Sequence, residues 1–127
     1  MSGTSADGIR PKRENGIVSH TTLTLLQGTV DLLILKALQR GPAHGYSVTR
    51  WVRDRTDGVI AMEDAALYQA LHRLEAKGWI ASEWGLSENN RRAKYYALTA
   101  TGGRQLRTEV SSWKRYAEAM FKVIEAS

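Results

Sequence analysis

With 127 residues, 43% of them hydrophobic and 24% charged, the chain suits one globular domain with a modest core and not a disordered polymer. Its formal net charge of +5 leans toward an anionic partner without identifying one. It contains no cysteine, which excludes disulfides, thiolate nucleophiles and cysteine-based zinc sites.

The N-terminal residues are rich in Ser, Gly, Thr and charge, include Pro11, and show no hydrophobic period. They read as a tail over residues 1–22, lacking the apolar stretch of a secretory signal. Arg10, Lys12 and Arg13 suit phosphate contacts, although a solvated tail is the simpler reading. The most apolar segment, Leu23 to Leu38, carries Gln27, Asp31 and Lys36 and is too short to span a bilayer. A cytoplasmic protein is expected.

Ordered structure is expected from about Leu23, with Thr29 as N-cap of a first helix in which Val30, Leu33, Ile34, Ala37 and Leu38 recur at helical spacing. Gly41 and Pro42 end it. A second helix is expected from about Ala43 to Arg55, with Val48 and Val52 inside, Gly45 permitting close helix approach, and Thr56, Asp57 and Gly58 as its stop. A third helix fits residues 63–77. There Leu67, Ala70, Leu71 and Leu74 form the buried face, and Gly78 stands where a C-terminus favours positive φ.

Two short strands follow, Trp79 to Trp84 and Ala93 to Leu98, around a polar turn from Gly85 to Arg92. Thr99 or Thr101 can cap a last helix reaching about Glu125. The expected fold is mainly α with a small β-hairpin: a winged helix-turn-helix DNA-binding domain over residues 23–100, then a long C-terminal dimerisation helix over 101–127.

No catalytic constellation emerges. His20, His44 and His72 share no metal-binding spacing, and no serine is marked as an activated nucleophile, so neither an enzyme nor a metal or other cofactor is expected. The third helix is different. With its leucines inward, Tyr68, Gln69, His72 and Arg73 are left pointing outward, with Lys77 one turn on. Gln can pair with adenine, and Arg with guanine or phosphate. A solvated polar face would look the same, but the hairpin tip clusters Arg91, Arg92 and Lys94 beside Asn89 and Asn90. A basic wing next to a polar helix face suits a DNA duplex.

In the last helix Leu106, Val110, Trp113, Ala117, Met120 and Ile124 are spaced by 4, 3, 4, 3 and 4 residues, and Tyr116 and Phe121 widen the stripe. This heptad seam either folds back on its own domain or pairs with a second copy; its length favours a homodimer.

The run LLQGTVDLLILKAL (Leu25 to Leu38), then HGYSV (His44 to Val48), ALYQALHRLEAKGWI (Ala66 to Ile80) and EWGLSENNRRAKYYALTATG (Glu83 to Gly102) resemble the PadR family of transcriptional regulators in order and spacing. The single short C-terminal helix is similar to that of the smaller branch of the family. The resemblance implies a dimeric repressor of nearby genes. Its helix contacts would be Tyr68 and Arg73, and its wing contacts Arg91, Arg92 and Lys94. Some members bind flat aromatic or drug-like effectors between the dimer halves, which makes Trp113 and Phe121 candidate effector-binding residues, with interface core as the simpler reading. The chain departs from the common pattern at Ala65 and Ala66, where many members have Gly-Ser or Gly-Thr, and at Gln69, where many have proline. The DNA sequence read by relatives therefore does not carry over. A protein-interaction module that has lost DNA binding is the rival reading, and the retained wing charge argues against it.

Overall fold

The computed structural model describes residues 20–127, with side chains from residue 28 onward. The expected tail up to residue 19, with Arg10, Lys12 and Arg13, lies outside the described residues. The elements run α1 (His20–Leu38), β1 (Ala43–His44), α2 (Gly45–Arg55), α3 (Asp64–Ala76), β2 (Ile80–Leu86), β3 (Arg92–Leu98) and α4 (Ala100–Ile124).

Two expected helix starts are corrected. Thr29 is not an N-cap, because α1 already runs from His20 and Thr29 lies in its interior. The leucines and glutamine before it are good helix formers and carry the run through Gly28. The second helix starts two residues later than expected. Ala43 and His44 are extended and pair antiparallel with Tyr96 and Tyr95, making a third strand that no periodicity announced. His44 then caps α2, its Nδ1 accepting from the Ser47 amide at 3.2 Å.

The sheet order is β1-β3-β2, antiparallel throughout. Register pairs Ile80 with Leu98, Ser82 with Tyr96, Trp84 with Lys94 and Leu86 with Arg92. Because side chains alternate across a strand, these residues share the face that carries buried Ile80 and Tyr96 toward the helices. Around them Ile34, Leu35 and Leu38 of α1, Val48 of α2 and Leu67, Leu71 and Leu74 of α3 form one core. Each such fully buried aliphatic side chain contributes roughly 1.5–3 kcal/mol.

The helix ends explain how the segments meet. After α3, Gly78 takes φ +78°. Its amide bonds to the Glu75 carbonyl at 3.0 Å, and the Trp79 amide bonds to that of Leu74 at 3.1 Å. This pairing closes the helix and turns the chain into β2. After α2, Asp57 takes the left-handed conformation instead, and the Gly58 amide reaches back to Arg53 at 2.8 Å.

Of the two candidate caps for α4, Thr99 is the one used, its Oγ1 accepting from the Gly102 amide at 3.0 Å. The Thr99 amide also donates to the Trp79 carbonyl at 3.1 Å. Gly102 presses on that same carbonyl so closely that a Cβ would stand 1.9 Å from its oxygen. Leu106, one turn on, is 2% exposed and completes the core.

Gly102→Ala is therefore expected to lower stability by about 2–3 kcal/mol or more, since the backbone itself must shift. At Gly103 a Cβ would meet only Leu98 Cδ2, at 3.9 Å. Gly103→Ala should stabilise by roughly 0.5–1 kcal/mol through helix propensity. Denaturant unfolding of the two variants side by side checks the contrast.

Candidate nucleic-acid interface

The buried face of α3 leaves Tyr68, Gln69 and His72 exposed together, with Ala65 completing a shallow surface concavity. Tyr68 leans over the start of α2, where a Cβ on Gly45 would stand 3.2 Å from its hydroxyl. That close approach is the one expected of Gly45. Across a cleft from Tyr68 lies the inner face of the β2–β3 hairpin, carrying Trp84, Arg92 and Lys94.

The strands of the hairpin are longer than expected, so its tip is the shorter stretch 87–91. There the Ser87 amide bonds to the Arg91 carbonyl at 2.8 Å, and Asn90 stands at φ +61°. Asn90 and Arg91 are exposed at this tip, next to the acidic Glu88. Arg92 belongs to β3 and to the inner face, not to the turn.

The cations differ in what already holds them. Lys77 is exposed and stacks over the Trp79 ring at 4.5 Å. Lys94 lies 3.9 Å from Glu75 of α3, whose other oxygen accepts from Ser82 Oγ at 2.5 Å. Glu75 thus ties the hairpin to the helix beside it. Arg92 stacks on Trp84, its guanidinium carbon 4.7 Å from the ring centroid.

Arg73 stands apart from the other expected contacts. Instead of pointing outward it turns toward α1 and pairs with Asp31, both side chains being partly buried. Burial pushes the Asp31 carboxyl above its ordinary value, and Arg73 opposes that shift. Burial likewise raises the Tyr96 hydroxyl, with Glu75 adding to the effect.

Sequence reasoning missed Tyr46, Arg50 and Trp84. Tyr46 lines the cleft and Arg50 stacks on its ring at 5.2 Å. With Val48 and Val52 inward, the helical period already placed both away from the core. Trp84 was legible from its alternation with Ile80 and Ser82.

The expected dimer stripe divides. Leu106 is corrected: it is buried in the core of its own chain and has no surface to offer a partner. Val110 also packs against that core. Beyond it Trp113, Tyr116, Met120, Phe121, Val123 and Ile124 are all 43% exposed or more, with Ala117 half-buried among them. Trp113 borders a groove with Leu32 of α1 and Tyr116, whereas Phe121 lies outside it. The two candidate effector residues do not share that groove.

Among the described residues no cluster of His, Asp or Glu could hold a metal ion, and no helix is long and apolar enough to cross a membrane.

A three-helix body with a small sheet, a polar helix face beside a cationic hairpin, and a long terminal helix define a winged helix-turn-helix protein. The Transcriptional regulator PadR-like family model matches residues 34–108. A transcriptional regulator from Clostridium thermocellum superposes with a TM-score of 0.73 at 29% identity, over 80% of this chain and 99% of its own. A PadR family transcriptional regulator from Eggerthella lenta DSM 2243 does so with a TM-score of 0.69 at 34% identity, over 84% and 91%. An uncharacterised protein of Lysinibacillus sphaericus is 28% identical over 94 residues, 74% of this chain and 86% of its own. The chain belongs to the PadR-like family of transcriptional regulators, which bind DNA and are not enzymes.

Arg73→Ala leaves the partly buried Asp31 carboxylate without its paired guanidinium and should cost about 1–3 kcal/mol. Asp31→Asn together with Arg73→Gln should cost less than the two single changes summed. Without Arg73 the carboxyl pKa rises further, so the folded state takes up a proton at a pH where the unfolded chain does not. Stability of Arg73→Ala should then rise, relative to wild type, as pH falls toward the carboxylate range. Urea melts at neutral and mildly acidic pH measure both effects.

Proposed function

We propose that this regulator is a homodimeric repressor. In this reading α3 enters the major groove with Tyr68, Gln69 and His72 at base edges, and Asn90, Arg91, Arg92 and Lys94 of the wing lie along the flanking backbone. The observation that carries the reading is that Tyr68, on the exposed polar face of α3, stands across one cleft from Arg92 and Lys94 of the hairpin. Lys77, exposed just past the end of α3, is a further cation for the DNA backbone in this reading. Arg73 supports the site from behind through Asp31 and is not among the direct contacts.

The apolar stripe from Trp113 to Ile124 favours a second copy of the chain as its partner. So continuous a set of large apolar side chains is costly to leave in water, and its heptad spacing suits a helix of the same kind. Two copies would offer two recognition helices to half-sites about one helical turn apart, roughly 34 Å. A dimer seated on a promoter would block transcription of the adjacent gene. A flat aromatic effector stacking on Trp113 in the groove beside Leu32 would be placed to alter how α4 packs on α1.

Titration with duplex DNA from the region upstream of its own gene tests the reading. Binding should weaken steeply with salt, and Arg91→Ala with Arg92→Ala should weaken all sequences alike, flattening the log–log salt slope by about 2. Gln69→Ala or His72→Ala should instead change the preference among sequences, by about 1–3 kcal/mol at the base pairs concerned. No binding at low salt would sink the proposal.

Light scattering should give twice the 14.2 kDa chain mass for the wild type. It should give the single chain mass for Met120→Glu with Phe121→Glu. A wild-type monomer would remove the dimer from this account.

A further inference from the structure

Trp84 has no evident reason to be a tryptophan. It belongs neither to the buried core nor to the partly buried side chains packed against it, and it is 57% exposed. The other tryptophans under cations also pack against the core, Trp51 beneath Arg40 and Arg55 and Trp79 beneath Lys77, and the exposed Tyr46 under Arg50 is the nearest parallel to Trp84. The Trp84 ring has instead one described polar partner, the Arg92 guanidinium.

The pairing follows from strand register. Arg92 is directly opposite Leu86, and Trp84 is two residues along on the same face, the diagonal distance that long and aromatic side chains can span. Arg92 has no carboxylate within 4 Å among the described residues, whereas Lys94 on the same face is drawn toward Glu75. Arg92 is therefore a wing cation that an indole, and no acid, keeps in position at the cleft facing Tyr68.

We infer that Trp84 is a positioning residue for DNA contact: its indole holds the Arg92 guanidinium ordered at the mouth of the cleft, so that the wing meets the phosphate backbone with this cation already in place. A guanidinium over an indole keeps its N–H groups at the ring edge free for phosphate oxygens. Ordering an arginine before binding removes part of the entropic cost of immobilising it at the interface. The inference rests on the DNA-binding reading above and deepens it by assigning a role to a residue that touches DNA only through another.

The test uses the full-length protein and two duplexes of equal length, one from its own upstream region and one of random sequence. Trp84→Leu, which keeps an apolar side chain but no ring, should weaken binding to both by about two- to ten-fold while leaving the salt slope unchanged, since Arg92 still reaches its phosphate at a higher entropic cost. Trp84→Phe should recover most of the loss. Arg92→Ala should weaken binding and also flatten the slope by about 0.9. In the Arg92→Ala background, Trp84→Leu should change affinity by less than about twofold.

In the free protein, the Nε–H proton resonance of Arg92 should lie upfield from the indole ring current in wild type and return to the ordinary arginine position in Trp84→Leu. That readout reports the stack directly, even where a variant's stability changes. Additive losses in the double variant, or an unshifted Arg92 resonance in the wild type, would overturn the positioning role. If the wild type bound neither duplex, this inference would fall together with the DNA-binding reading. Binding that Trp84→Leu leaves untouched would remove this inference alone.

Discussion

The carbonyl oxygen of Trp79 is where three parts of this protein are joined. It sits just after the turn that closes α3 and just before β2, and it accepts the Thr99 amide at the point where β3 passes into α4. Gly102 rests directly against it. The exit of α3, the base of the hairpin and the start of α4 are thus held within one backbone contact. Only a residue without a side chain fits there, because hard-core repulsion rises too steeply for any Cβ to share the space. The direction of α4, and so the direction its apolar stripe faces, follows from this packing together with the burial of Leu106.

Around that junction a small number of charges hold the helix and wing relative to each other. Glu75 accepts from Ser82 and attracts Lys94, joining α3 to the hairpin across the sheet edge. Arg73 joins the same helix to α1 through Asp31. The two ties run from opposite flanks of the buried face of α3, and neither involves Tyr68, Gln69 or His72. The helix is thus held at its flanks while Tyr68, Gln69 and His72 remain exposed. The cost is that two charged residues of the helix serve the scaffold, one of which, Arg73, looked from its spacing like part of the exposed face.

Most of the architecture could be read without coordinates because it depends on local rules. The buried leucines of α3 repeat at helical spacing, Gly78 takes the positive φ its position called for, and Val48 and Val52 mark the inner face of α2. The hairpin was legible from alternation and turn residues, though its tip proved shorter because Leu86 and Arg92 still pair. The elements that escaped were those without a local signature. β1 is two residues long and exists only because β3 lies beside it. Thr99 prevailed over Thr101 as the cap because the Gly78 and Trp79 carbonyls are within reach of its hydroxyl.

For the function, the residue types and their periods already determined that a polar helix face, a basic hairpin and an apolar terminal stripe would exist, since which face is buried depends only on spacing. What tertiary structure alone decided was the allocation of individual residues within those faces. Arg73 went to Asp31, Leu106 went to the core of its own chain, and Arg92 came to rest on Trp84. Each outcome depends on a partner distant in sequence or across a strand, 42 residues away for Asp31. A period reports which way a side chain points, but not what it finds there.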